Sequence, residues 1–475
     1  SFSGIHTNAT LTAPAHYATA ASLPQQGGTW PQATWANTLG GARLQQLVDE
    51  ALANNPDLQV ATARIAAARA AAQAARAATL PQVGAKLGST YQRYTENGLI
   101  PPPLAGTWEA DNELVLSASY DFDFWDRHGA QLRAALAQGK AASAEAANAR
   151  LLLATAVAHS WLQLGRQQAQ LQLAEQQLQL RDRLDQLTRQ RIRAGLDGSS
   201  ERQQSQLQLA TLRADRTQWQ EAIVLSRNQL AALLGQGPDR GLRINVPQLP
   251  TRAASTLPDQ LPLQLLARRP DIVASRWRVE AATGDIAVAK AQFYPNINLS
   301  AFTGLSSLGV GNFLRSGSLI AGVGPAITLP IFDGGALRAQ LRGKTAAFDG
   351  AVALYNQTVT EALHQVADQV QSLRAASSQS EERQHASLAA HNALLLVQQR
   401  QRVGTANMLQ VIASESAWLA QRQLVLDSSV RQADLQIALI KALGGGFDAQ
   451  QGELGVPAAQ TNATTPLISA NSHSD

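Results

Sequence analysis

Three aspartates in one short stretch, Asp121, Asp123 and Asp126, are the residues of this chain that could suggest a catalytic pair. Paired carboxylates can divide the acid and base roles of a hydrolase between them. Asp121 and Asp123, however, stand at alternate positions of a segment with period two, and Asp126 directly precedes a long helical pattern. The wet face of a strand and the cap of a helix explain these aspartates better, so we predict no catalytic residue.

The other chemistry-bearing residues form no metal-binding or nucleophilic pattern. His385 and His391 are six residues apart on a predicted helix, so they do not share a face as ligands at i and i+4 do. The sequence has no HExxH, GxSxG or Walker motif. It also has no cysteine, which excludes a disulfide framework, thiolate zinc sites and a cysteine nucleophile. We therefore expect no enzyme, no metal site and no cofactor.

The composition is that of a large, weakly charged chain. Of its 475 residues 45% are hydrophobic, enough for a large core, and 16% are charged, below the roughly 25% of ordinary soluble domains. The net charge of +4 is too small to suggest a nucleic-acid partner. No run of 18 apolar residues occurs, so we expect no transmembrane helix, whereas barrel strands would carry a much weaker signal.

An internal repeat organises the chain. Three motifs recur in the same order at offsets of 214 and 209: Asn55-Pro56-Asp57-Leu58 as Arg269-Pro270-Asp271-Ile272, Arg193-Ala194-Gly195 as Arg402-Val403-Gly404, and Leu234-Gly235 as Leu443-Gly444. Matched landmarks in one order indicate a duplication. The predicted units are an extended N-terminal segment 1–40, a first repeat 41–235, a linker 236–258, a second repeat 259–444 and a C-terminal tail 445–475.

Each repeat has the same predicted plan of a helix, a β-hairpin, a very long helix and a return helix. The elements are a helical stretch 42–79, hairpins 83–124 and 296–331, long helices 127–194 and 335–402, and return helices 198–235 and 406–443. A helix of this length reaches about 100 Å at 1.5 Å per residue. Leucines spaced by seven indicate coiled-coil packing between such helices.

The four predicted strands each carry one apolar face. In 114–124 the apolar positions alternate with the polar residues Ser117, Ser119, Asp121 and Asp123. Four strands are too few to close a barrel, and open strand edges in lipid would leave backbone groups unpaired at several kcal/mol each. We therefore expect three chains to supply 12 strands to one barrel that continues into a helical tunnel, with these polar residues lining the lumen.

A set of ordered motifs then carries a resemblance to a known family. They include the two Pro-Asp motifs, Ala291-Gln292-Phe293-Tyr294-Pro295, Leu329-Pro330-Ile331-Phe332-Asp333-Gly334-Gly335, Arg402-Val403-Gly404 and Ala442-Leu443-Gly444-Gly445-Gly446-Phe447. Over about residues 35–450 the chain resembles the TolC-type outer-membrane efflux channels. Its Gly-Gly-Gly-aromatic ending is similar to the NodT-like, lipid-anchored branch.

The resemblance implies an α+β membrane protein, a homotrimer in the outer membrane of a Gram-negative bacterium that extends into the periplasm. It implies outer-membrane lipid, a periplasmic adaptor (membrane fusion) protein and an inner-membrane pump of the RND or major-facilitator type as partners. The channel would be the passive exit duct of a tripartite pump that exports drugs or other small toxic compounds. An acylated cysteine before residue 1 would make it a lipoprotein. A coiled-coil scaffold of a secretion assembly, without channel activity, is the alternative.

The resemblance also implies sites at the far ends of the long helices. The residues matching the adaptor-docking turns are Arg193, Gly195, Leu196, Arg402, Val403, Gly404 and Thr405. Relatives usually close this end with an aspartate ring, but the corresponding positions hold Gln410 and Ala413. We therefore expect an apolar, steric gate formed by Leu409 and Met408, with Asn407 and Gln410 beside them. The alternatives are a simple glycine helix cap for the turns and a coiled-coil seam for Leu409.

Overall fold

The computed structural model describes residues 2–245, 247, 257–258 and 260–450. In this part of the chain the helices are α1 (Trp35–Asn54), α2 (Pro56–Ala77), α3 (Arg127–Arg193), α4 (Ser199–Leu233), α5 (Asp239–Leu242), α6 (Leu261–Arg268), α7 (Pro270–Ala291), α8 (Ala336–Arg402) and α9 (Met408–Ala442). The strands are β1 (Gln82–Arg93), β2 (Trp108–Phe122), β3 (Asn296–Leu308) and β4 (Leu319–Thr328). Within the described residues, none of these helices is apolar over a long enough stretch to cross a membrane.

The strands form one antiparallel sheet in the order β1-β2-β3-β4. The two hairpins are joined by pairing of β2 with β3, in which Ala118 lies opposite Ala301. The outer edges of β1 and β4 have no strand partner within the described chain. Each of these edges therefore presents a row of backbone N–H and C=O groups that only another chain can pair.

The short helices stack end to end into columns beside the two long helices. In the first repeat α4 ends where α2 begins, and the Asn55 side chain donates to the carbonyl of Leu233 (3.0 Å) while accepting from the amide N–H of Asp57 (2.9 Å). In the second repeat α9 ends where α7 begins, and the Arg269 guanidinium donates to the carbonyl of Ala442 (3.1 Å). The repeated Pro-Asp motif thus begins the second helix of each column, where proline has no amide donor to lose.

A glycine closes each of these junctions. Gly235 and Gly444 have φ of +69° and +91°, a conformation that side-chain-bearing residues rarely adopt. A Cβ added to Gly235 would lie 2.5 Å from the carbonyl oxygen of Asn54, and one added to Gly444 would collide with the carbonyl of Arg268. Both glycines are therefore required for backbone-to-backbone contact between stacked helices.

The two larger core clusters lie at the level of these junctions, and a smaller one, around Leu180 and Ile412, lies between α3 and α9 nearer the far ends of the long helices. Of the two larger clusters, one surrounds Leu44, Trp161 and Leu230, and the second surrounds Leu265, Val359 and Leu439. Above them α3 packs closely on α7, where Gly284 lies against Ala134 with no room for a Cβ. Small residues at this contact let the two helix backbones approach.

The structure corrects several predicted boundaries. The first helical stretch is two helices interrupted at Asn55, and the segment expected to be extended through residue 40 is helical from Trp35 onward. Strands β2 and β4 end at Phe122 and Thr328, so 123–124 and 329–331 are not strand. The predicted linker contains α5. Residues 246 and 248–256 of the linker and the C-terminal tail from residue 451 lie outside the described residues.

Candidate functional site

The register of the sheet separates an apolar face from a polar one. Directly paired residues lie on the same side of an antiparallel sheet, so the row Val83, Ala118, Ala301 and Val323 belongs to one face. Val83 is 71% and Val323 is 75% exposed, which means that no helix of the same chain covers this face. The same face carries Leu87, Tyr91, Leu114, Leu116, Tyr120, Phe122, Ile297, Leu299, Leu305, Leu319 and Ile327. An exposed apolar surface of this extent requires an apolar environment.

The opposite face is polar and contains three of the four residues that the alternation assigned to a lumen. Ser117, Ser119 and Asp121 lie on it, and the Asn298 amide donates to the Asp121 carboxylate across the β2–β3 pair (2.6 Å). Lys86 and Glu113 form an ion pair farther along this face (2.8 Å). The polar groups pair with one another and remain accessible to water.

Asp123, the fourth residue predicted to line the lumen, does not lie on the strand face where the alternation placed it. It lies beyond the end of β2, and its carboxylate accepts hydrogen bonds from the backbone N–H groups of His128 (3.1 Å) and Gly129 (2.8 Å). Free N–H groups in the first turn of a helix need such an acceptor. Asp123 therefore serves the start of α3, and period-two alternation cannot distinguish this role from strand-face exposure.

Aromatic side chains tie the sheet to the helices below it. The Trp125 ring stacks on Tyr294 with centroids 4.5 Å apart, and its indole N–H donates to the carbonyl of Pro295 (2.9 Å). Indole and phenol rings are typical of the boundary between lipid and water. No sequence pattern above assigns a role to Trp125, although an aromatic residue directly after an alternating strand is the signal that could have revealed this contact.

The far ends of the long helices, here called the tip, consist of two similar turns. In the first tip turn (194–198) the N–H of Leu196 donates to the carbonyl of Arg191 (2.9 Å). In the second tip turn (403–407) the N–H of Thr405 donates to the carbonyl of Arg400 (2.8 Å). Gly195 and Gly404 have positive φ at equivalent points, so both turns require glycine.

The predicted docking residues lie on these turns or, for Arg193 and Arg402, at the helix ends directly before them, and their side chains are largely exposed. Leu196 is 66% and Val403 is 71% exposed, and Arg193 and Arg402 also face solvent. Thr405 differs, because its hydroxyl donates to the carbonyl of Arg400 (3.1 Å). The glycines leave open backbone at the apex, with nothing near the position that a Cβ would occupy.

The two turns are held by different chemistry. Arg191 makes two hydrogen bonds to Asp197 (2.8 and 2.9 Å), and this side-chain hydrogen bond lowers the pKa of the Asp197 carboxyl. In the second turn Asn407 and Gln410 cap each other's backbone N–H groups (3.0 and 3.1 Å). The first turn therefore depends on charge and the second on neutral hydrogen bonds.

The predicted gate residues occupy the start of α9. Met408 is the first residue of the helix and 43% exposed, and Leu409 beside it is half-buried. Asn407 and Gln410 are the capping pair just described, which fixes where the apolar pair begins. Glu415, about two turns farther along α9, is paired with Arg183 of α3 (2.9 Å).

Polar contacts also join α3 to α9 above the tip. Arg166 and Gln170 both donate to Asp427 (2.7 and 3.0 Å). His159 is hydrogen-bonded to Asp434, and the bond to this carboxylate raises the pKa of the imidazole despite partial burial. Because the two helices belong to different repeats, these contacts couple the two halves of the chain.

The two-faced sheet and the long helices together define a class of protein, a membrane-embedded duct whose wall needs more than one chain. Unpaired strand edges cannot be tolerated in hydrocarbon, and four strands cannot pair with each other around a lumen. The scaffold alternative leaves the exposed apolar face without a role.

Comparison with known proteins identifies the family. The sequence model described as "Outer membrane efflux protein" matches residues 47–236 and 261–445. The multidrug resistance outer membrane protein MdtQ of Escherichia coli O157:H7 is 32% identical over 432 residues, 88% of this chain and 89% of that protein. The chain belongs to the outer membrane efflux protein family.

Two further relatives agree. The fusaric acid resistance protein FusA of Burkholderia cepacia is 38% identical over 322 residues, 67% of this chain but only 60% of that protein. The solved structure of the outer membrane protein VceC from Vibrio cholerae is 36% identical, with a TM-score of 0.80 over 88% of this chain and 100% of that one.

Family membership confirms the expected fold class and location. Three copies form a 12-strand barrel in the outer membrane, with four strands from each, and the helices continue as a tunnel into the periplasm. The tips of the long helices are the periplasmic end. The family consists of efflux channels that act with adaptor and inner-membrane pump proteins in tripartite systems.

Proposed function

We propose that this chain forms the passive exit duct for drugs or other small toxic compounds, driven by a pump in the inner membrane. The observation that supports this most directly is the sheet with an exposed apolar face, a polar opposite face and two unpaired edges, attached to helices of about 100 Å. Such a chain can complete a lumen only with its copies. The names of MdtQ and FusA refer to resistance, which supports toxic small molecules as cargo.

Ser117, Ser119 and Asp121 line the barrel interior in this proposal. Hydroxyl groups and a carboxylate keep the wall hydrated, and an aqueous wall lets chemically varied solutes pass. The wall supplies only loose selection, so the pump selects the cargo and provides the energy. Both RND-type and major-facilitator pumps fit a duct that does no energy coupling itself.

The two tip turns dock the periplasmic adaptor. Gly195 and Gly404 leave open backbone at the apex, which another helical hairpin can approach closely. Leu196 and Val403 offer one exposed apolar side chain on each turn. Three copies of two similar turns give six docking points around the entrance, three of each kind.

Leu409 and Met408 form the gate at this entrance, with Asn407 and Gln410 fixing the start of the helix that carries them. In the trimer, three pairs of these apolar side chains narrow the channel entrance, because they occupy its space and exclude water from it. We expect Leu409→Ala to raise single-channel conductance in planar bilayers severalfold. Leu207→Ala, which changes an exposed leucine on α4, is the matched control and leaves conductance unchanged. An unchanged Leu409→Ala conductance contradicts the gate.

The duct itself is tested by purification and reconstitution. The protein should require detergent, migrate as a trimer and give discrete conductance steps in bilayers. It should also restore drug resistance to cells that lack their own outer-membrane efflux channels but contain an adaptor and pump. A protein that stays monodisperse and monomeric in buffer without detergent would refute the proposal.

A further inference from the structure

The tip carries a concentrated positive charge. Residues 185–206 and 396–414 contain six arginines and three carboxylates, so each chain contributes +3 there and a trimer +9. The whole chain carries only +4. Around the second tip turn the charged side chains are all arginines, because no aspartate or glutamate occurs between residues 383 and 414.

All three of these carboxylates are already engaged within the chain. Asp185 accepts hydrogen bonds from Arg189 and Ser205 (both 2.7 Å), and Asp197 is bound by Arg191. The Glu201 carboxylate accepts from the backbone N–H of Gly198 (2.9 Å) at the start of α4. None of the three is therefore available to neutralise the remaining arginines.

Two of the remaining arginines occupy equivalent positions in the repeat. Arg193 lies two residues before Gly195, and Arg402 lies two residues before Gly404. Both are exposed, and in the part of the chain that the structure describes neither forms an ion pair or a side-chain hydrogen bond. Three copies place six such guanidinium groups around the entrance, one at each tip turn.

A hairpin that docks on these turns must therefore meet an arginine at every contact. Backbone contact at the glycines does not depend on charge, but a guanidinium that loses water without gaining a partner destabilises the complex. A carboxylate at that point forms short, charge-assisted hydrogen bonds, and a cation is repelled. The sign of the partner's charge is then set by Arg193 and Arg402.

We propose that the tip selects adaptor hairpins whose ends are acidic, with carboxylates facing Arg193 and Arg402. This inference rests on the proposed docking role of the turns. A protein partner fits better than an anionic membrane surface, because each arginine stands beside an open glycine backbone that can form hydrogen bonds with another chain. Lipid headgroups would interact with the arginine charges but would not form hydrogen bonds with the glycine backbone.

The test uses two synthetic helical hairpins that are identical except at the positions flanking their turn, which are glutamate in one and lysine in the other. The probe is binding of each hairpin to the full trimer in nanodiscs of uncharged lipid. At about 50 mM NaCl we expect the glutamate hairpin to bind about tenfold more tightly, and at about 300 mM the preference should shrink. The double variant Arg193→Gln/Arg402→Gln should lose the preference.

The matched control is Arg64→Gln/Arg69→Gln, which removes the same charge from exposed positions of α2 and should keep the preference. Equal binding of the two hairpins, tighter binding of the lysine hairpin or no binding overturns the proposal. The proposal is also overturned if the double variant mainly loses binding to vesicles that contain roughly one-third phosphatidylglycerol, because the partner would then be lipid.

Failure of this inference can be told apart from failure of the docking role. The double variant Gly195→Trp/Gly404→Trp blocks the open backbone of both turns without changing charge, and it should abolish drug resistance in cells. If it does so while the hairpins bind equally, the turns dock an adaptor but do not read its charge. If resistance survives Gly195→Trp/Gly404→Trp, the docking role itself is wrong, and the charge preference has no biological partner.

Discussion

The junction of α9 with α7 allows one residue's contribution to stability to be isolated. Gly444 has φ +91°, and a Cβ there would lie well inside 3.0 Å of the Arg268 carbonyl, a separation that real Cβ atoms essentially never show. Gly335, directly before α8, has φ +92° and nothing within 4 Å of the same position. The two glycines thus share a backbone conformation and differ only in whether another backbone is in the way.

Alanine at either position costs about 1–2 kcal/mol for the left-handed conformation. At Gly444 the helices must also separate to admit the methyl group, which adds about 1–3 kcal/mol, as overpacking does. We therefore expect Gly335→Ala to lower the free energy of unfolding by about 1–2 kcal/mol and Gly444→Ala by about 2–5 kcal/mol. Gly139→Ala, in the interior of α3 with open space around it, should change the free energy of unfolding by less than either.

The assay is guanidinium unfolding of the detergent-solubilised trimer, followed by circular dichroism at helical wavelengths. Hydrogen exchange should show in addition that Gly444→Ala exposes amides near the start of α7 while leaving the tip unchanged. Equal losses at Gly335 and Gly444 would mean that the junction relaxes freely, and the reasoning about stacked backbones would then be wrong.

Two further predictions concern contacts between the repeats and within them. The hydrogen bond that the His159 imidazole makes to the Asp434 carboxylate raises the pKa of His159, so its stabilising effect is present in acid and is lost as the pH rises through the raised pKa. The difference in melting temperature between the wild type and His159→Gln should therefore be largest near about pH 5.5 and vanish near about pH 9. A difference that does not vary with pH would contradict this prediction. His385→Gln, which changes an exposed histidine, is the control. Asn55→Ala removes a helix cap and the link to Leu233, and should lower the free energy of unfolding by about 2 kcal/mol, against almost nothing for exposed Ser143→Ala.

Much of the sheet could be predicted because its signal is local. Alternating side chains of a strand point to opposite faces, so Ser117, Ser119 and Asp121 are assigned correctly to the polar face from spacing alone. The same rule fails at Asp123, because an aspartate that caps the next helix continues the alternation by coincidence. The residue at which a strand ends depends on the element that follows it, and the alternation of side chains contains no information about that element.

The stacking of helices could not be predicted, because it has no local signal. Asn55 bonds to Leu233, 178 residues away, and only the fold brings the ends of α4 and α2 together. The repeat does show that Gly235 and Gly444 are equivalent, but not what each of them touches. Likewise, the motifs at the tip indicate turns but not the contacts within them. Only the structure shows that Asp197 is bound by Arg191 and that Glu201 accepts from the N–H of Gly198.

The unpaired edges of β1 and β4 have a genetic consequence. Each seam of the barrel joins β4 of one copy to β1 of the next, so a chain with one damaged edge still offers a sound edge to its other neighbour and can enter the assembly. Such a chain spoils every ring that it joins. In a cell that makes both forms in equal amounts, most rings contain at least one damaged copy, and the mutant allele is dominant over the intact one.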